Sequence, residues 1–97
     1  MADRAAMLRW IIGEYQNERL LEADRLENYR LERARTELAR EVLLEHGEIG
    51  EADQLKLKIH DLYHKIQVGE SYLARLDRLT GLYEASLEKT LEGSSES

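Results

Sequence analysis

The chain has no cysteine, no proline and no phenylalanine. Without cysteine there is no disulfide, no thiolate metal site and no thiol nucleophile. Without proline the commonest helix breaker is missing. Aromatic residues make up 6% of the chain, and Trp10 is the single tryptophan. Valine and isoleucine are sparse, which argues against a sheet. No apolar run approaches the ~20 residues of a membrane span. The opening MADRAAMLRWII has arginines at 4 and 9 and no cleavage site, so it does not read as a secretory signal. There is no glycine-rich phosphate loop, since HGEIGE is acidic and lacks lysine. Nucleophilic catalysis has little to draw on: serines fall mostly in the C-terminal tail, and Ser71 and Ser86 have no histidine near them in sequence.

What remains is charge and helix formers. Charged residues are 35% of the 97 and give a net charge of −6. That balance lacks the basic field that phosphate contacts need. The length allows one domain, and leucine, glutamate, arginine and alanine favour helix. The expected class is all-α, with cytoplasmic localisation and no cofactor.

The strong punctuation is EHGEIGEAD at 45–53. Gly47 suits the left-handed position after a helix end, with Ile49 folding back over the last turn. Gly50 suits an N-cap, with Glu51 and Asp53 in the first turn that follows. The expectation is a helix over 3–45, a turn over 46–50 and a helix over 51–91. Together they form a single antiparallel helical-hairpin domain over 1–92, with a disordered tail at 93–97.

The first helix carries an apolar stripe through Leu8, Ile12, Tyr15, Leu20, Ala23, Leu26, Leu31, Ala34, Leu38 and Val42. Part of it repeats every eleven residues, Ile12, Ala23 and Ala34 in one set and Leu20, Leu31 and Val42 in another, which predicts a nearly straight or slightly right-handed stripe. Its wet side is expected to hold the pairs Glu22–Arg25, Glu27–Arg30, Glu32–Arg35 and Glu37–Arg40. The second helix shows a heptad seam through Leu55, Ile59, Leu62, Ile66, Gly69, Leu73, Leu76, Thr80, Tyr83 and Leu87. Gly69 falls on this seam and marks either a kink or break or a close approach of another backbone. The stretch around 24–30 and 69–71 is expected to be thin and polar.

His60-Asp61-Leu62-Tyr63-His64 resembles the H-E-x-x-H zinc pattern with Asp for Glu. In the heptad frame both imidazoles point off the seam, and His46 at the turn is the only other histidine. A catalytic zinc needs a third ligand and a dry wall. The two histidines therefore read as solvated, and a metal-dependent enzyme using His60 and His64 survives only as an alternative that needs a dimer. Arg30, Arg33 and Arg40 with Tyr29 suggest a basic edge for nucleic acid. Interleaved Glu27, Glu32, Glu37 and Glu41 favour a salt-bridged face instead, which leaves a small helical-hairpin nucleic-acid regulator as the first alternative, ahead of the metal-dependent enzyme.

Excess apolar surface is more informative. AAMLRWII at 5–12 is apolar nearly all round, and Trp10 lies opposite the Leu8–Ile12 stripe. The hairpin brings this end beside Leu82, Tyr83 and Leu87. Met7, Trp10, Ile11, Leu82 and Tyr83 are thus the candidate partner-binding residues, while Leu8, Ile12, Ile59, Leu62 and Leu76 hold the hairpin. The expected function is a non-enzymatic protein–protein interaction module. Such a module is a small scaffold, adaptor or inhibitory, chaperone-like subunit that self-associates as a homodimeric four-helix bundle and engages another protein, but not a membrane.

Overall fold

The computed structural model describes residues 3–95. Two helices, α1 (Arg4–Glu45) and α2 (Ile49–Ser95), pack against each other as an all-α hairpin. No described helix is long and apolar enough to cross a membrane.

Local chemistry sets the helix ends. Asp3 caps α1: its Oδ1 accepts from the Ala5 N–H at 3.0 Å, and its carbonyl accepts from Met7. At the far end Gly47 takes φ +76°, as its position after the helix predicts. The Glu48 N–H then donates to the Leu43 carbonyl at 2.8 Å and the Gly47 N–H to Leu44 at 3.2 Å. This pair of bonds is a Schellman closure, which satisfies carbonyls the helix would otherwise leave open. The turn is shorter than expected. The Ala52 N–H reaches the Glu48 carbonyl at 3.1 Å, so α2 begins at Ile49, Glu48 takes the capping place, and Gly50 lies inside the helix. Ile49 does not fold back over α1 but stays exposed on the new helix. At the other end α2 runs to Ser95 instead of stopping at Leu91. The rest of the expected tail, 96–97, lies outside the described residues. Helix α2 passes through Gly69 unbroken.

Contacts within the chain group into two units, Met1–Glu22 with Tyr72–Ser97, and Ala23–Ser71. In the first, Ala5, Leu8 and Ile12 of α1 and Leu76 of α2 are buried, and Tyr15 meets Tyr83 edge-on with ring centroids 5.4 Å apart. Arg19 is bonded to Asp77, and the Tyr72 hydroxyl donates to Glu18 at 2.7 Å.

In the second unit Leu26, Ala52, Leu62 and Ile66 form the core, and Gly69 is buried with them. Leu26 is 0% exposed and is the largest fully buried side chain among the described residues. The stretch expected to be thin and polar therefore contains one of the two driest positions, the other being Ala52. The register set by Arg33 over the Tyr63 ring and Lys65 over the Tyr29 ring brings Leu26 level with Gly69. Gly69 is itself buried in an unbroken helix. Thr36 is buried too, its hydroxyl bonded to the Glu32 carbonyl at 2.7 Å, so it adds no unmet polar group.

The seam of α1 departs from the expected eleven-residue stripe. Continuing the 3–4 spacing of Ala5, Leu8, Ile12 and Tyr15 passes Arg19, which is exposed, and leads to Glu22, Leu26, Tyr29, Arg33, Thr36, Arg40 and Leu43, all buried or half-buried; of the expected stripe beyond Tyr15, Ala23 is half-buried too. Leu31 and Leu38 are 58% and 59% exposed, and Leu20 and Val42 are exposed as well. The heptad seam of α2 imposes the reason. Two helices stay in contact over many turns only if both present residues at the same 3.5 period. An eleven-residue stripe on one helix rotates away from a heptad seam on the other. Of the arginines at seam positions, Arg33 lies over the Tyr63 ring of α2 and Arg40 has its Nε buried. Two members of the expected same-helix pairs bond across the hairpin instead, Arg30 to Glu70 at 3.1 Å and Glu32 to Lys58 at 3.2 Å, while Glu37 is taken by Arg33 within α1 at 3.8 Å.

Candidate interaction surface

The surface expected from the sequence lies in the first unit. An amphipathic helix in a hairpin dries one stripe, and apolar residues off that stripe stay wet. Leu8 and Ile12 take the seam. Trp10, two residues from each, is carried to the far side and is 63% exposed. Met7 and Leu82 are exposed too, whereas Ile11 and Tyr83 are half-buried.

Met7 is a ridge between two shallow hollows of about 430 Å³ each. One is lined by Arg4, Leu8, Leu82, Tyr83 and Ser86, the other by Ala6 and Trp10, and Asp3 and Met7 border both. Four of the five expected residues thus line a common feature. Ile11 lines neither hollow. Arg4 closes one rim through its Nε–H bond to the Thr90 hydroxyl at 3.2 Å, and that hydroxyl in turn donates to the Ser86 carbonyl at 2.9 Å. Asp3 is occupied as the helix cap. The hollows are therefore walled by carbon and edged by polar groups that already have partners. They can take an apolar side chain, and they offer no nucleophile–base pair for chemistry.

Further apolar surface lies on the second unit, where the sequence also leads one to expect a wide apolar arc toward the turn through Val42, Leu43, Leu44, Ile49, Leu55 and Leu57; Val42, Leu44, Ile49 and Leu57 are exposed. In the second unit Leu31, Leu38 and Val42 lie on the face of α1 away from its seam, and Leu57, 78% exposed, and Val68 do the same on α2. Counting the 3–4 seam onward from Tyr15 places Leu31 and Leu38 off the seam of α1.

The histidines are solvated, and no group of three or more histidine, aspartate or glutamate side chains able to hold a metal exists among the described residues. His60 does more than face water: it edges a groove with Arg40, Lys56, Ile59 and Tyr63. The basic edge imagined for nucleic acid is broken up, because Arg30 is bonded to Glu70 and Arg33 is shared between Glu37 and the Tyr63 ring. No protein-family model, curated protein or solved structure matches the chain.

Proposed function

We propose that this protein is a non-enzymatic protein–protein interaction module, a small cytoplasmic scaffold or adaptor that works as a homodimer and offers its apolar faces to a further protein. The observation that carries the reading is the exposed Met7–Trp10–Leu82 surface with its two hollows. Large aromatic and aliphatic anchors beside apolar hollows are what binding hot spots are made of. The surface area points the same way. The chain exposes 7413 Å², whereas a monomeric protein of this mass typically exposes ~5,700 Å². The difference is more than the ~800 Å² per partner that a standard interface covers. A second hairpin laid along the first would give a four-helix bundle and cover part of this excess.

Sedimentation equilibrium, read together with the fluorescence of the single tryptophan, tests the proposal. Association is expected to raise the apparent mass with concentration and to shift the Trp10 emission from its water-exposed position to the blue. Trp10→Ala and Met7→Ala are expected to weaken association while helicity at 222 nm persists. A chain that stays monomeric at every accessible concentration, with its indole always wet, would refute the homodimer.

A further inference from the structure

The second unit carries an apolar face that its own hairpin leaves uncovered. Leu31, Leu38 and Val42 follow one another at seven and four residues, which puts them within about 40° of one another around α1. All three are exposed, whereas Leu26, Arg33, Thr36 and Arg40 on the seam side are buried or half-buried. Ala34 and Ala39 flank the row and are exposed too. Side chains that short let a second helix come close. Arg35 is the charged residue within the row, and a side chain of this kind can lie along a contact with its head in water. Apolar residues scattered singly on a surface need no explanation, but a contiguous row marks a contact.

The surface area leaves room for that contact. The chain's 7413 Å² exceeds the ~5,700 Å² typical of its mass by about 1,700 Å², roughly twice the ~800 Å² that a standard interface covers per partner. One such face is the Met7–Trp10 surface, and the excess has room for a second. Symmetry then selects the occupant. On α2 the exposed Leu57 and Val68 have Asp61 and His64 between them on the same face, and Asp61 is held by Lys65 at 3.0 Å. Charge breaks that row, so it matches the row on α1 poorly. A contact between α1 of one copy and α2 of the next would also be head-to-tail, a kind that builds rings or filaments and not a closed pair. Pairing α1 with its own counterpart is isologous: each copy supplies the same Leu31, Leu38 and Val42, and assembly stops at two chains.

We propose that a second copy of this chain docks on this face, α1 against α1, through Leu31, Leu38 and Val42. The inference rests on the homodimer reading above and gives it a contact area on the second unit.

The test uses the whole chain and exploits its lack of cysteine. Ala39→Cys, beside the row, carries a nitroxide. Copies labelled in this way, without ¹⁵N, are mixed with unlabelled ¹⁵N copies, so that any broadening arises between chains. The broadening is expected to be greatest at the amides of residues 31–42. Sedimentation equilibrium is run alongside on Leu38→Glu and Leu57→Glu. Both leucines are exposed within the chain, so neither change is expected to disturb the fold. Leu38→Glu should raise the dimer dissociation constant by about a hundredfold or more, because the symmetry removes two leucines at once. Leu57→Glu should leave it within about threefold. A chain that associates yet responds alike to the two substitutions, or whose broadening is greatest away from 31–42, overturns this face and leaves the homodimer standing. A chain that never associates overturns the homodimer, and this face with it.

Discussion

Replacing Leu26 with Ala, and Leu31 with Ala as its companion, separates the two possible seams of α1. Leu26 is 0% exposed, level with a buried glycine, and Leu31 is 58% exposed on the opposite side of the same helix. Leu→Ala in a close-packed site loses the transfer energy of the removed carbons and leaves a cavity, together about 2–5 kcal/mol. Gly69 adds no flexible side chain that could swing in to refill the space, which puts the expected loss near the middle of that range, about 3 kcal/mol. At ordinary per-residue stabilities a chain of this size has roughly 5–14 kcal/mol in all, so one substitution removes a substantial fraction. In urea, with an m-value of about 1–1.5 kcal/mol/M, the midpoint should fall by about 2–3 M. Leu31→Ala should move it by less than about 0.5 kcal/mol equivalent when the protein is dilute, as exposed positions do. Circular dichroism at 222 nm at low protein concentration reads both. Equal losses in the two variants would refute the heptad seam of α1. A loss for Leu31→Ala that appears only as concentration rises would instead place Leu31 in the self-association surface.

Three further outcomes follow from named positions. Gly13 and Gly81 lie within helices with nothing near the place a Cβ would take, so Gly13→Ala and Gly81→Ala should each stabilise by about 0.5–1 kcal/mol in thermal melts. Gly47 also has open space, but its φ of +76° penalises any other side chain, so Gly47→Ala should destabilise by about 1–2 kcal/mol. The Tyr72 phenol is raised above its usual 10.0, first by its hydrogen bond to Glu18, then by burial and by the charges of Glu18 and Glu22. Because the folded value is the higher one, the bond's contribution is complete below pH 10 and is lost as pH rises through the folded value. The absorbance difference between the native chain and Tyr72→Phe should therefore titrate above 10.0, and a midpoint at or below 10.0 would contradict the bond.

Much of this protein is set by local sequence. The absence of proline and the run of helix formers dictate two long helices. Gly47, the one residue type that enters the left-handed region at little cost, dictates where the chain turns. The heptads from Leu55 to Leu87 mark the side of α2 that is dry. The exposure of Trp10 follows from helical geometry alone, because two residues away from Leu8 and Ile12 is the far side of the cylinder. These features are legible because each depends on a residue and its near neighbours in sequence.

The seam of α1 in the second unit was decided by packing. Its residues include Arg33, Thr36 and Arg40, which no hydrophobicity count selects, while Leu31, Leu38 and Val42 form a stripe that looks like a core and is wet. Only the partner helix breaks that tie, because a heptad seam accepts nothing but a matching period. The same competition assigns Glu37 to Arg33 and leaves the Arg40 Nε buried without a partner. A spacing of three along one chain cannot reveal which of two arginines an acid will choose. That choice depends on which side chains the second helix brings alongside, and so it belongs to the tertiary structure.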